Sequence, residues 1–374
     1  MMNTKRIEYI DYAKAIAVAL ILFDHRCIKS TILFSCALPV FFMSSGITTN
    51  ISKYSFKEYL THLSKRLLPP FWIAMLVYTI LEIFRAQFVG YGDISIIFPG
   101  LVNTIYGSGK IPVIGSFGQK LVEIMSFKQQ VDPATVEVIL PLDCHLWYLT
   151  AFFSGCIIFY CCKKVNKKNL LVIDVLMIII LLLLTSIETL PHMFQLPYGL
   201  GRGFLCAAYM LTGSRIKNFL EEKSILKLVI AIITSAIAVV LCVKLGSNCA
   251  SLVGSYYGPY GIISVFLTYI CGVCASYLAF MFCRLIHIIN IKPLNTVLKI
   301  IGKNTLTLYL WHMAVFFVGD VIMHKIFGVA FSPNKYYVEL FIQGYVPYRL
   351  LVSTIALVLL TLVGEYKSKI FKKK

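Results

Sequence analysis

The feature that most constrains this chain is its series of uninterrupted apolar blocks, each about 17–25 residues long, joined by polar connections. A helix of that length crosses a hydrocarbon core of roughly 30 Å. Lipid offers no partner for backbone N–H and C=O groups, so only helices and closed barrels span it. The blocks are continuous rather than alternating with period two, which selects helices over a barrel. Composition points the same way: 59% of the residues are hydrophobic and 14% charged, against roughly 25% charged in soluble domains. A soluble enzyme, a disordered tail and a secreted disulfide scaffold are excluded together.

Ten spans are predicted, near residues 12–29, 31–49, 69–88, 145–162, 170–189, 198–216, 225–244, 261–283, 303–322 and 347–364. If the N-terminus is cytoplasmic, alternate connections are cytoplasmic too, and they hold twenty-three of the 35 basic residues. That asymmetry follows the positive-inside rule and places both termini in the cytoplasm. The expected fold is therefore an all-α polytopic membrane bundle, one integral-membrane domain over residues 1–374. It has an outer loop at 89–144 and a basic cytoplasmic tail at 365–374. The net charge of +18 has the same origin. No basic run is interleaved with aromatics, so no nucleic-acid partner is expected.

Two connections carry further pattern. In residues 50–68, Phe56, Tyr59, Leu60, Leu63 and Leu67 recur at helical spacing among Lys53, Lys57 and Lys65. An amphipathic helix on the inner leaflet and a plain basic connector fit this equally well. The loop 89–144 is half apolar and rich in Gly and Pro, as re-entrant or surface helices covering a site would be. Most of the twelve cysteines, such as Cys156, Cys206, Cys242 and Cys271, lie within apolar blocks and read as small hydrophobes. The Cys271–Cys274 spacing has no second pair, so no metal site is expected.

Polar groups inside apolar blocks are costly and mark functional interiors. The first block holds Asp11, Lys14, Asp24 and His25. Lys14 and His25 are eleven residues apart, about three turns plus 20°, and Asp11 lies within about 60° of both. These three form one stripe, with His25 roughly 16 Å beyond Lys14 along the axis. A cation near the cytoplasm and an imidazole deeper in suit a phosphate-bearing substrate that reacts inside the membrane. An interfacial histidine bonded to a carbonyl is the competing reading.

Other blocks add candidates. The segment Phe41–Ile47 contains Ser44, Ser45 and Gly46, small enough for backbones to approach closely. Lys65 and Arg66 precede Pro69-Pro70-Phe71-Trp72. Arg66 suits either a phosphate contact or headgroup anchoring. His145 and Trp147 open the fourth block at the expected outer interface. In the ninth, Thr305, Tyr309 and His312 share one helix face and form a second polar stripe.

These stretches, in this order, resemble the acyltransferase 3 family of integral-membrane O-acyltransferases, nearest its fucose 4-O-acetylase-like branch. The resemblance covers essentially the whole chain. It rests on RIEYIDYAKAIAVALILFDH at 6–25, PVFFMSSGI at 39–47, KRLLPPFW at 65–72, HLWYL at 145–149 and GKNTLTLYLWH at 302–312. It implies a basic residue and an essential histidine separated by ten residues, here Lys14 and His25. Lysine replaces the arginine more usual at the first position. Of the two arginines the family tends to show before its third span, only Arg66 is present, Leu63 standing at the other position. Asp11, Trp147, Tyr309 and His312 also match family positions. The implied activity moves an acyl group, usually acetyl, from cytoplasmic acetyl-CoA to a carbohydrate hydroxyl at or beyond the outer face. The implied setting is a cell membrane, with a bacterial plasma membrane expected. On this reading His25, His312 and Tyr309 are the catalytic candidates, and Lys14, Arg66 and Asp11 hold the donor.

Acyl transfer to an alcohol needs a group to take the hydroxyl proton, and a neutral imidazole suits that task. His25 can act on the acceptor directly or carry the acyl group transiently. Tyr309, Asn304 or Ser45 can supply the donor that stabilises the oxyanion. Succinyl transfer is an alternative within the same class. A lipid-linked saccharide transporter is an alternative outside it, though no matched pair of Gly/Pro-broken spans marks the two halves.

Overall fold

In the computed structural model, residues 7–25, 31–84, 87, 146–188, 199–217, 220, 224–245, 262–327 and 346–372 are described. They form eleven α-helices and one 3-10 turn, with no strand among the described residues. The helices are α1 (Glu8–Asp24), α2 (Thr31–Thr48), α3 (Phe56–Phe84), α4 (Trp147–Val165), α5 (Leu171–Glu188) and α6 (Leu200–Ile216). They continue as α7 (Ile225–Lys244), α8 (Ile262–Ile289), α9 (Lys292–Lys303), α10 (Thr305–Phe327) and α11 (Val346–Lys372). All ten predicted blocks overlap a helix. Six helices (α3, α4, α7, α8, α10 and α11) are long and apolar enough to cross a membrane, and the apolar stretches within α2 and α5 are shorter.

The outward faces are apolar. On α7 only Leu228, Ser235, Val239 and Cys242 are buried, whereas Ile230, Ile233, Ile237 and Leu241 are exposed. A stripe of that kind is matched by acyl chains, not by water. The protein is a polytopic helical membrane protein.

The chain divides into two compact units, residues 1–50, 207–309 and 353–374 in the first, and residues 51–206 and 310–352 in the second. In the first unit α1 packs on α2, α8 and α9, and α8 packs on α2 and α7. Small residues allow the closest approaches. A Cβ on Gly46 of α2 would overlap the Met210 carbonyl of α6, and one on Gly213 would overlap that of Met43. The small-residue segment of α2 therefore seats two backbones against each other, as expected from its composition. Cys242 and Cys271 pack with Val239 and Ala275 as core hydrophobes.

Three features differ from the sequence reading. First, residues 56–68 are neither a separate surface helix nor a connector but the start of α3. Ser55 and Glu58 form a reciprocal cap: the Ser55 backbone N–H donates to Glu58 Oε2 at 2.9 Å, and the Glu58 N–H to Ser55 Oγ at 3.4 Å. The helix runs on through Pro69 and Pro70. Those prolines release the carbonyls of Lys65 and Arg66, both at exposed positions where other partners can serve them. Second, α9 is an additional helix of 12 residues, about 18 Å long and too short to span. It has proline in its first turn and turns Asn295, Leu298 and Gly302 inward. Third, the tail from residue 365 continues α11 to Lys372. Asn304 anchors it by donating to Glu365 Oε1 at 2.8 Å. The loop 89–144 lies outside the described residues.

In the second unit α3 packs on α4. Tyr59 donates to the Cys156 carbonyl at 3.3 Å, and Tyr160 to the Tyr54 carbonyl at 3.1 Å. Tyr78 of α3 donates to the Leu310 carbonyl of α10, and Phe84 meets Phe317 edge-on. The two pairs advance together along both helices, so α3 and α10 run parallel.

Candidate active site

The first polar stripe forms on α1. Lys14 Nζ lies 2.9 Å from Asp11 Oδ1, one turn away, with the Asp11 side chain 3% exposed and that of Lys14 23%. An ammonium beside a buried carboxylate offsets part of the hydration that burial removes. His25 ends the same helix. It is half-buried, and its backbone N–H donates to the Ile21 carbonyl at 3.1 Å.

Gly302 opens the other segment on which the family resemblance mainly rests. A Cβ there would overlap the Asp11 carbonyl, so α9 lies directly on the α1 turn that carries the ion pair. Only glycine permits that approach. The stretches at 6–25 and 302–312, almost three hundred residues apart, thus meet at Asp11. Asn304, two residues on, caps α9. Its two amide hydrogens are committed, one to the Ile300 carbonyl at 2.9 Å and one to Glu365 at 2.8 Å. An amide has no third donor, so Asn304 is a joint between α9 and α11 and not an oxyanion donor. Tyr309 is buried. On α2 it is Ser44, buried with no hydrogen-bond partner for its hydroxyl among the described residues, that is the more interior of the two serines; Ser45 is only half-buried.

The other candidates lie in the second unit. Arg66 is exposed on α3. His312 is completely buried on α10, with the Phe316 ring edge-on to it at 5.5 Å. Trp147 does more than mark an interface: the Arg202 guanidinium lies over its ring at 4.5 Å. His145 falls outside the described residues. The structure therefore unites Asp11, Lys14, His25 and Tyr309 in one unit, and Arg66 and His312 in the other.

Three buried acidic residues escaped the sequence reading, and Arg284, counted there among the basic residues of the cytoplasmic connections, proves buried as well. Glu82 on α3, Asp174 on α5, Asp320 on α10 and Arg284 on α8 are each at least nine-tenths buried. Asp174 has a structural role: Asn166 donates to it at 2.8 Å and Lys163 at 3.3 Å, tying the α4–α5 turn. Asp320 accepts from Tyr348 at 3.0 Å. Charged letters within apolar runs were the available signal, the same one that singled out Asp11.

The family model for the acyltransferase domain matches residues 7–365, nearly the whole chain. The chain belongs to the acyltransferase 3 family. No curated protein and no solved structure gives a significant match. Family membership and the apolar helices together make this a multi-pass membrane acyltransferase. Its work requires a bilayer and an acyl acceptor. The matched segment includes the whole of α1, so the Asp11–Lys14 pair and His25 all fall within the family domain.

Proposed function

We propose that the protein is an O-acetyltransferase of the fucose 4-O-acetylase-like branch, resident in a bacterial plasma membrane. It moves an acetyl group from cytoplasmic acetyl-CoA to a hydroxyl of a cell-surface or lipid-linked carbohydrate. The observation that carries this reading is the arrangement on α1: a paired cation near one end and a half-buried imidazole at the other, inside a family acyltransferase domain. Lys14 and Arg66 receive the phosphates of the donor, with Asp11 orienting Lys14. His25 takes the proton of the acceptor hydroxyl as its oxygen bonds to the acyl carbon, and the thiolate leaves. The proton is then available to the departing sulfur. Tyr309 and His312 complete the polar lining; a phenol or imidazole N–H can donate to the oxyanion as charge develops there.

Mass spectrometry of surface glycans from cells with and without the protein tests the reading. A loss of one acetyl group per modified sugar on deletion is the expected result. A loss of one succinyl group would change the donor. Unmodified but mislocalised saccharide would replace the transferase with a carrier.

A further inference from the structure

The cation best placed to hold an anion in the first unit is not one of those the sequence singled out. Arg284, near the end of α8, is 9% exposed. Its guanidinium carbon lies 5.4 Å from the centroid of the Tyr9 ring, which covers one face. Its Nε has no hydrogen-bond partner among the described residues. The neighbouring charges are already matched. Glu8 pairs with Lys299 and stands 3.9 Å from His287 Nδ1, while Asp11 pairs with Lys14. A guanidinium carries N–H donors in a planar fork, and burying one of them, the Nε–H, without an acceptor is costly because the charged group has lost its hydration there. An acceptor from outside these helices removes that cost.

We infer that Arg284 anchors a phosphate-binding site in the first unit, beside Tyr9 where α1 begins. A planar fork matches the two-oxygen edge of a phosphate, which a lysine cannot reproduce. Two sources carry that chemistry: the phosphates of the nucleotide part of an acyl-CoA, or the headgroup of an anionic phospholipid. The first source rests on the donor assigned under the proposed function; the second does not depend on it.

The full-length protein in phosphatidylcholine nanodiscs, titrated with coenzyme A in a calorimeter, supplies one arm. Retention of phosphatidylglycerol by the purified protein in native mass spectrometry supplies the other. Arg284→Gln is expected to weaken one of the two by about ten- to a hundred-fold, the worth of a charge-assisted contact to phosphate. Weakened coenzyme A binding makes the donor the ligand, and weakened lipid retention makes it the headgroup. If the unaltered protein binds no coenzyme A, the donor reading fails while the lipid arm still decides the site. Should Arg284→Gln not insert, Arg284→Lys serves: it keeps the charge, loses the fork, and is expected to weaken the same ligand several-fold. Unchanged affinity for both ligands in a folded variant overturns the inference.

Discussion

His25 is the C-terminal cap of α1, and its side chain is half-buried rather than fully enclosed. A proton acceptor needs that partial exposure, since a fully buried imidazole could not exchange its proton between turnovers. Replacing His25 by Ala is expected to abolish glycan acylation while membrane insertion stays normal. Retained activity would remove the mechanism proposed above. His312→Ala should cause a partial loss, because a buried ring contributes packing as well as polarity. Donor binding separates from chemistry at Lys14 and Arg66. Substituting either with Ala should weaken acetyl-CoA binding by about ten- to a hundred-fold, and Lys14→Arg should recover much of it. His25→Ala should leave that affinity nearly unchanged. The reverse pattern, binding lost with His25 and kept without either cation, would move the donor elsewhere.

Elements owe their limits to a few polar contacts at their ends. The Ser55–Glu58 reciprocal cap starts α3, and Ser55→Ala should cost about 1 kcal/mol locally. Amide exchange over residues 56–60 would show it as faster exchange, with the rest of α3 unaffected; uniform protection would mean that the cap contributes nothing. The α1–α9 contact has a pH signature. The hydrogen bond from Lys299 holds the Glu8 carboxyl below its ordinary range, helped by the charges of Lys299 and His287 and opposed by burial. A carboxyl with a depressed folded pKa stabilises the fold above its unfolded value. That contribution disappears as pH falls through the folded value. Glu8→Gln should therefore melt lower than the unaltered protein at neutral pH, and the two should converge below about pH 4. A gap independent of pH would show that Glu8 acts through shape alone. Glu8 is 36% exposed, so the gap should be small.

For the whole molecule, chemistry and acceptor choice are expected to separate by side of the membrane. On the proposed function, the basic set would handle the donor and the loop 89–144 would contribute to acceptor choice. Exchanging that loop for the corresponding segment of a relative with another acceptor should change the sugar modified without altering acetyl-CoA affinity. Lost donor affinity in a folded exchange protein would contradict the division. The loop is half apolar by composition, which suits contact with a saccharide ring face or a lipid carrier.

Class, helicity and the α1 stripe could be read from the letters alone. Lipid leaves backbone groups no partner outside the segment, so length and hydropathy determine a spanning helix locally. The 3.6-residue repeat likewise puts Asp11 and Lys14 within reach of each other whatever surrounds them. Family membership rested on segments that share a helix face or a tight motif, and these too are local. What the tertiary structure decided was every relation between distant segments. Gly302 against Asp11, Gly46 against Met210 and Asn304 against Glu365 depend on which helices pack together, and no periodicity encodes that choice. The same holds for charge. Asp174 and Arg284 look alike in sequence, as charges in or near apolar runs. Only packing gave Asp174 two donors and left Arg284 buried against the Tyr9 ring with its Nε unpartnered among the described residues.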